Sequence, residues 1–282
     1  MSYRITKILN HNSFMGIESK NDQECLIMGK GVAFGKKVGQ TVSVTGDARV
    51  YSLKELTDRG EAKDIIKSVS PLCLELANEV LDQAEEEFGK VDRSILFTMA
   101  DHLDFAVRRM QNGEQISNPL TDDIRIMFYK EYKVAGCIRD LLKEKLGIRI
   151  DEHEIGYIAL HVHAAIVDEN VSQAMEIART VRECICMVEE ETGKSIDVMS
   201  LSYNRLMNHV RYMVARAIHG EKLKMSLNDY MSVKFPGPYM TAEKICRKME
   251  KSLKLPIPDI EIGYLAMHLE RMMDREEDKN II

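Results

Sequence analysis

The chain has 282 residues, enough for two or three domains, and 45% of them are hydrophobic, which suffices for several packed cores. It lacks both an apolar run of the roughly 18–20 residues that a membrane span needs and the apolar stretch of a secretory signal, so we expect a cytoplasmic protein. The net charge of −6 is uneven: residues 1–60 carry 9 basic and 6 acidic residues, and residues 61–282 carry 30 and 39. This weak basic excess, which can also be ordinary scatter, would place any nucleic-acid contact in the head.

The start of the chain, up to about Glu55, predicts a small head made of short β-strands. Runs of β-branched and apolar residues are separated by clusters of Asn, Asp and Gly, which favour turns. The predicted strands are 3–9, 13–18, 24–29 and 41–45. The stretch GKGVAFGKKVG, which has four glycines and three lysines, predicts a strand interrupted by a loop.

From about residue 56 onward the apolar pattern has a helical period, and part of it occurs twice. EIGYIALHVH at 154–163 returns as EIGYLAMHLE at 261–270. The same shift along the chain aligns about 40 positions without a gap, an internal duplication of one helical domain. We therefore predict a β head at 1–56, a linker at 57–64, and two all-α helical bundles at 65–171 and 172–282.

The helix that contains EIGYIALHVH has a clear predicted start. Asp151 can cap it, with Glu154 three residues further on in a capping-box-like arrangement. Ile155, Ile158 and Val162 follow at the spacing of an apolar helix face. His161 lies on the flank of this face, where one ring nitrogen can face a groove.

Four of the eight histidines repeat with the duplication, two in each copy and equally far apart in both. They are His102, His161, His209 and His268. A single histidine in such a place is usually a core-edge residue with a satisfied hydrogen bond, and shared ancestry alone could preserve four. Their register nevertheless fits a duplicated function. A neutral imidazole is a good nucleophile, and a phosphohistidine would add roughly two negative charges, so phosphoryl acceptance suits such pairs.

Metal binding is the other chemistry that paired histidines suggest. His161 and His163 form an HxH motif, but residues two apart on a helix point in different directions, and Glu270 replaces His163 in the second copy. The six cysteines form no CxxC pair and indicate reduced, buried thiols. We expect no metal and no cofactor, with a metal-dependent hydrolase kept as an alternative.

The order of these features resembles a known family. A head with LIMGKGVAFGKK, then DHLDFAVRR…EIGYIALHVHAA and NHVRYMVAR…EIGYLAMHLERM, strongly resembles the BglG/LicT-type transcriptional antiterminators over the whole chain. GKG and HVH look most like the glucose-type branch. The resemblance implies a non-enzymatic regulator with a co-antiterminator RNA-binding domain and two phosphotransferase-system regulation domains. It also implies a four-stranded antiparallel head that dimerises and clamps a leader-mRNA hairpin, which prevents a terminator from forming and lets sugar-uptake genes be transcribed.

By the same resemblance, six residues of the head would contact RNA. They are Lys7, Asn10, Asn12, Gly29, Lys30 and Phe34. Aromatic stacking, amide hydrogen bonds and cationic contacts to phosphate are how proteins read RNA loops and bulges. The family often has arginine where Lys30 stands, and lysine keeps the charge but loses the planar fork. The alternatives are a core position for Phe34 and a solvated turn for Lys36 and Lys37.

The resemblance also implies that each helical copy is a five-helix bundle and that His102, His161, His209 and His268 accept phosphoryl groups. In the family, the sugar-specific enzyme II phosphorylates the first regulation domain and inactivates the protein. Phosphorylation of the second domain, often by HPr, can activate it. A DNA-binding activator with regulation domains remains an alternative, but it would need a helix-turn-helix head, which the short strands argue against.

Overall fold

The structure is a computed structural model that describes residues 1–44, 46, 48–54, 56–57, 60–167, 169–193, 195–196 and 200–277. For residues 56, 219 and 273–277 it describes the backbone alone. The chain forms two compact units, one of residues 1–121 and 128–171 and the other of residues 122–127 and 172–282. No helix in the described ranges has the length and apolar character needed to cross a membrane.

The head is an antiparallel sheet of five strands in the order β4-β1-β2-β3-β5. The strands are β1 (Ser2–Asn10), β2 (Ser13–Glu18), β3 (Glu24–Met28), β4 (Thr41–Ser43) and β5 (Arg49–Ser52). The all-β head and its four predicted strands are confirmed, but the strands predicted at 24–29 and 41–45 end at Met28 and Ser43. Thr45 lies outside the described residues. The expected strand number of four is wrong, because β5 pairs with β3 and extends the sheet.

Alternation along the strands gives the head its core. Tyr3 and Ile5 of β1, Phe14 of β2, Ile27 of β3 and Val42 of β4 are buried in one hydrophobic cluster. Their neighbours in β1 and β4 face solvent, which is the two-residue period of a sheet with one covered face.

The predicted interrupted strand at 29–39 is wrong. These residues form a series of turns, and Gly31, Gly35 and Gly39 all have positive φ. A strand cannot continue through such backbone, and glycine adopts it without steric cost. The turns start at the end of β3 and lead to β4, which places the lysines and Phe34 at the rim of the sheet.

A two-stranded hairpin, β6 (Leu56–Thr57) and β7 (Gly60–Glu61), falls mostly in the predicted linker, whose residues 58 and 59 are outside the described residues. After it the described chain is helical, as predicted. The helices are α1 (Ala62–Ser68), α2 (Pro71–Phe88), α3 (Leu96–Gln111), α4 (Thr121–Met127), α5 (Tyr129–Ala135), α6 (Ile138–Leu146), α7 (Glu152–Ile166), α8 (Val171–Thr192), α9 (Leu201–His219), α10 (Asn228–Lys234), α11 (Pro236–Leu253) and α12 (Ile260–Glu277).

In the first unit, α7 packs against α2, α3 and α5, and in the second unit α12 packs against α9, α10 and α11. Residues 122–127 belong to the second unit, although they lie within the first predicted copy. One reason is that the buried Tyr203 hydroxyl donates a hydrogen bond of 2.8 Å to Asp123. The duplicated EIGY motif lies on α7 and α12, so in each unit it belongs to a helix that packs against three others.

The glycine of the repeated EIGY motif has a packing role in the second unit. The Gly263 N–H donates a hydrogen bond of 2.9 Å to the Asn228 side chain, and a Cβ at Gly263 would lie 2.7 Å from that Asn228 Oδ1 atom. We expect Gly263→Ala to destabilise the second unit by about 1–3 kcal/mol, because α10 must move away from α12. Thermal unfolding followed by circular dichroism measures this as a lower midpoint. Gly237→Ala, where an added Cβ meets no atom within 4 Å, is the control and should leave the midpoint unchanged.

Candidate RNA interface and histidine sites

The turn between β1 and β2 and the loop after β3 together hold five of the six predicted RNA-contacting residues of the head. The Asn12 carbonyl accepts a hydrogen bond from the Gly29 N–H at 2.9 Å, and its side-chain Oδ1 accepts one from the Gly31 N–H at 2.8 Å. The Asn10 side chain in turn accepts from the Asn12 N–H at 2.9 Å. Both amide oxygens are thus used to build the turn, and both NH₂ groups point away from it. We call Asn10, Asn12, Gly29, Lys30 and Phe34 the turn surface.

Phe34 is 69% exposed, so the alternative that it belongs to the core is wrong. Its ring meets the edge of the His11 ring with 5.5 Å between centroids. Lys30 is exposed in the same loop, and Lys7 is exposed on β1 three residues before Asn10. An exposed aromatic ring beside lysines can stack on a base while the lysines contact phosphate. Lys37 is exposed, which agrees with the alternative of a solvated turn, whereas Lys36 is half-buried.

Gly29 is explained by packing within the head. A Cβ at Gly29 would lie 3.0 Å from the Ala48 Cβ atom, so only glycine lets these two segments approach without displacement. This close contact holds the loop of residues 29–34 against the sheet and fixes the position from which Phe34 projects.

The side-chain NH₂ groups of Asn10 and Asn12, which the turn does not use, contact the helical part of the first unit. The NH₂ groups of Asn10 and Asn12 both donate hydrogen bonds to Glu75 Oε1, at 2.9 and 3.0 Å. Glu75 lies in the second turn of α2. The sequence offered no sign of this contact, because acidic residues on a helix are ordinarily solvated.

The first pair of repeat histidines comes together between α3 and α7. The rings of His102 and His161 have centroids 5.5 Å apart, and Tyr157 lies at the same distance from His102. His102 Nε2 is 3.2 Å from Glu154 Oε2, and Arg109 pairs with the other oxygen of the same carboxylate at 2.5 Å. The first site therefore combines two neighbouring imidazoles with the buried Glu154 carboxylate and the half-buried Arg109.

The second pair has the same parts between α9 and α12. The rings of His209 and His268 are stacked with centroids 4.7 Å apart, and Tyr264 lies 6.3 Å from His209. The buried Glu261 binds Arg216 through both oxygens, each at 2.8 Å. The structure thus brings the predicted histidines together in pairs, each within one unit.

The carboxylates, arginines and tyrosines of these sites were not among the predicted site residues. Glu154 was interpreted as part of a capping box; Asp151 does cap α7, with a hydrogen bond of 2.9 Å from the Glu154 N–H, but the Glu154 carboxylate turns to Arg109. The missed signal was the shared offset, because Glu154 and Arg109 recur in the second copy as Glu261 and Arg216. An acid and a base that are duplicated together indicate a pair.

Electrostatics differ between the two sites. Burial tends to raise the pKa of Glu154, but the neighbouring His102 and Arg109 hold it below its usual value. Burial, together with the neighbouring His268 and Arg216, lowers the pKa of His209 to about 3. The buried His209 Nε2 has no hydrogen-bond partner among the described residues, so this ring is kept neutral. Burial also lowers the pKa of His268.

We expect the His209 ring to stay neutral from pH 8 down to about pH 4. In the unfolded chain this imidazole takes up a proton near pH 6.5, whereas in the folded protein it stays neutral until about pH 3. The contribution of His209 to the free energy of unfolding is therefore complete above pH 6.5 and is lost as the pH falls from 6.5 toward 3. NMR titration of the imidazole C–H signals, with His209→Gln for assignment, measures it. A His209 signal that titrates near pH 6.5 would contradict the burial described for this ring.

The HxH motif does not converge on one site. His163 Nδ1 lies 3.0 Å from Glu131, and its ring packs on Phe128, whereas His161 faces His102. Among the described residues no group of three His, Cys, Asp or Glu side chains is arranged to hold a metal ion. All six cysteines are free; Cys25, Cys73, Cys184 and Cys246 are buried, as predicted, and Cys137 and Cys186 are half-buried.

Comparison with known proteins agrees with this arrangement. Residues 3–59 match the model of the CAT RNA binding domain, and residues 74–165 and 182–272 match that of the PRD domain. Protein GlcT of Staphylococcus haemolyticus is 28% identical, with 95% of both chains covered. Transcription antiterminator LicT of Bacillus subtilis is 26% identical, with 96% of this chain and 99% of LicT covered. The crystal structure of GlcT CAT-PRDI matches 59% of this chain and 99% of that chain, with 27% identity and a TM-score of 0.50.

The family model of the PRD domain occupies more than half of the chain, and the head matches an RNA-binding module where a DNA-binding activator would carry a helix-turn-helix. Members of this family are non-enzymatic regulators, so the alternative of a hydrolase is wrong. With a CAT RNA binding domain followed by two PRD domains, the chain belongs to the BglG/LicT family of transcriptional antiterminators.

Proposed function

We propose that this protein is a sugar-responsive antiterminator of the cytoplasm. Its head, as a homodimer, binds a hairpin in a leader mRNA through the turn surface and Lys7, and so prevents the overlapping terminator from forming. The exposed Phe34, in the same loop as Lys30 and in ring contact with His11 between Asn10 and Asn12, supports this role. The similarity to proteins called GlcT supports a member of the glucose-type branch.

The histidines of the two PRD domains are the proposed control elements. His102, His161, His209 and His268 would accept phosphoryl groups from HPr and the sugar-specific enzyme II of the phosphotransferase system. The observation that carries this proposal is the paired placement of all four, each pair in a unit where a buried glutamate binds a half-buried arginine beside one of the histidines. A phosphohistidine would bring roughly two negative charges to within reach of these buried carboxylates and arginines, which can shift how each domain packs.

The direct test is phosphoryl transfer to the purified full chain. It is incubated with HPr and enzyme II that carry phosphoryl groups, and its peptides are mapped by mass spectrometry under alkaline conditions. We expect acid-labile phosphate on the repeat histidines and none on His153 or His163. Absence of phosphate from all four repeat histidines would refute the proposed control.

A further inference from the structure

The two PRD sites share their residue types but use the buried carboxylate differently. In the first site, one oxygen of Glu154 contacts Arg109 and the other contacts His102. In the second, both oxygens of Glu261 accept hydrogen bonds from Arg216. We propose that Glu154 is a positioning residue that directs phosphoryl transfer to the Nδ1 atom of His102, and that His209 has no such partner. This inference rests on the proposed function and gives its chemistry at one atom.

The geometry at His102 leaves one ring nitrogen for the reaction. Its Nε2 atom and Glu154 Oε2 are both buried, lie 3.2 Å apart, and have no other hydrogen-bond partner among the described residues, although the ring is not yet aligned for a direct bond. Hydrogen bonds that serve catalysis are often long or misaligned until the partner docks. A carboxylate can only accept, so Nε2 must carry the proton and Nδ1 must keep the lone pair.

The transfer step then balances without any further reactant. The Nδ1 lone pair of His102 attacks phosphorus on a phosphohistidine or phosphocysteine of the donor protein. The bond from phosphorus to the donor nitrogen or sulfur breaks, and its electron pair returns to the donor. The His102 ring, which keeps its Nε2 proton, gains positive charge as the new bond forms, and the Glu154 carboxylate stabilises that charge through the Nε2–H.

The second site lacks this support. Glu261 is fully engaged by Arg216, and the buried Nε2 of His209 has no partner in the described structure. Exposure is also reversed: in the first site His102 is the more open ring and His161 is buried, whereas in the second His209 is buried and His268 is half-buried. The acceptor that a donor reaches first is therefore His102 in one domain and His268 in the other.

The isomer of phosphohistidine tests this inference. The full chain is phosphorylated by HPr and enzyme II, and antibodies specific for Nδ1- or Nε2-phosphohistidine are applied to the separated peptides. We expect the Nδ1 isomer at His102. We expect Glu154→Gln to slow phosphorylation of His102 by about tenfold or more and to yield both isomers, since a charged hydrogen bond is lost. Glu261→Gln is the matched control and should change neither the rate nor the isomer at His102.

Each outcome decides. The Nε2 isomer at His102 in the unaltered chain would overturn the inference without any variant, so misfolding of Glu154→Gln cannot obscure it. Equal slowing at His102 by Glu261→Gln would overturn it too, because that would indicate a general structural effect. Phosphate on none of the four histidines would refute the proposed function itself, which is a different result.

An independent contact lies at the other end of the first unit. We infer that Glu75 is an autoinhibitory residue that occupies the RNA-contacting amides of the head. Its Oε1 atom accepts from both Asn10 and Asn12, and these NH₂ groups are the donors that the turn itself leaves available. A carboxylate oxygen presents to them the same acceptor chemistry as an RNA phosphate or base oxygen. RNA must therefore displace Glu75.

The surrounding contacts show why α2 fits the head. Glu75, Glu79, Asp82 and Glu85 follow one another at three- and four-residue intervals along one side of α2. Arg49 of β5 pairs with Asp82 and Glu85, and the Tyr51 hydroxyl donates to Asn78 at 2.5 Å. The regulation domain thus offers an acidic side to the basic head, and Glu75 reaches the turn surface. Phe34 is left exposed, so a base can still stack before the amides are released.

Affinity for RNA measures this contact. The full chain, Glu75→Ala and Glu79→Ala are titrated with the labelled leader hairpin transcribed from beside the chain's own gene. We expect Glu75→Ala to bind about tenfold more tightly than the unaltered chain, because no carboxylate competes for the amides. Glu79→Ala removes the same charge one turn further along. Glu79 binds Lys145 at 2.7 Å, while the same lysine lies 3.9 Å from Glu75, and Glu79 accepts from neither Asn10 nor Asn12, so affinity should stay nearly unchanged.

Equal or weaker binding by Glu75→Ala would overturn the autoinhibitory role. A gain of the same size in Glu79→Ala would overturn it as well, since it would reflect general repulsion between α2 and RNA. Failure of all three proteins to bind the hairpin would instead refute the proposed RNA target and, with it, this inference.

Discussion

Replacing His102 and His161 together by Ala should make terminator readthrough independent of the sugar. We propose that a phosphoryl group on the first PRD domain disfavours the RNA-binding dimer, and Ala cannot accept one. We expect readthrough without sugar to rise on the order of tenfold, to the induced level, which is a typical size for coupling between two sites. A reporter gene behind the leader terminator, assayed with and without the sugar, gives the measurement.

The second PRD domain supplies the contrast. Replacing His209 and His268 by Ala should leave readthrough unchanged or lower it, because Glu261 and His209 are not coupled as Glu154 and His102 are. The neighbouring residues diverge as well: Asp104 and Phe105 in the first copy become Arg211 and Tyr212 in the second. His163→Ala, on α7 at the position where the second copy has Glu270, is the control and should respond to sugar normally. Identical behaviour of both double variants would refute distinct roles for the two domains.

Phe34→Ala should nearly abolish binding of the leader hairpin. The ring is exposed on the turn surface, and stacking of a base on an aromatic side chain contributes about 1–3 kcal/mol, or roughly 5- to 150-fold in affinity. The core of the head does not contain Phe34, so the fold should survive, which circular dichroism checks. Electrophoretic mobility shift with the hairpin, at several salt concentrations, gives the affinity.

Salt adds a second criterion to the same experiment. The lysines of the head would contact phosphate, so binding by the unaltered chain should weaken steeply as salt rises. Phe34→Ala should keep that slope while losing affinity at every salt concentration, because it removes stacking and no charge. Val38→Ala, an exposed apolar residue in the same glycine-rich stretch, is the control. Unchanged affinity of Phe34→Ala would show that the turn surface is not where RNA binds.

Local sequence pattern was sufficient for the regular parts of the fold. Strand β2 and the capped helix α7 have strong local signals: an apolar run bounded by turn residues in one case, and an Asp N-cap before an apolar stripe in the other. The constant offset between the two copies predicted that the histidines would form equivalent sets. Pairing of His102 with His161 needed the fold, since α3 and α7 are distant in the chain.

Tertiary contacts account for what the sequence did not reveal. Strand β5 has four residues, two of them exposed, and is recognisable only because β3 offers it an open edge. Glu154 is in the position of a capping box, yet its buried carboxylate pairs with the half-buried Arg109 and not with the start of the helix. Glu75 is an ordinary acidic residue of α2 until the turn between β1 and β2 lies against it.

Transcription in vitro tests antitermination itself most directly. Purified polymerase transcribes a template that carries the leader and its terminator, with and without the unphosphorylated full chain. We expect the chain to increase the fraction of full-length transcript, and we expect the increase to disappear when the hairpin sequence is scrambled. An unchanged fraction of full-length transcript, with a chain that is folded and free of phosphate, would contradict the assignment of this protein as an antiterminator acting on that leader.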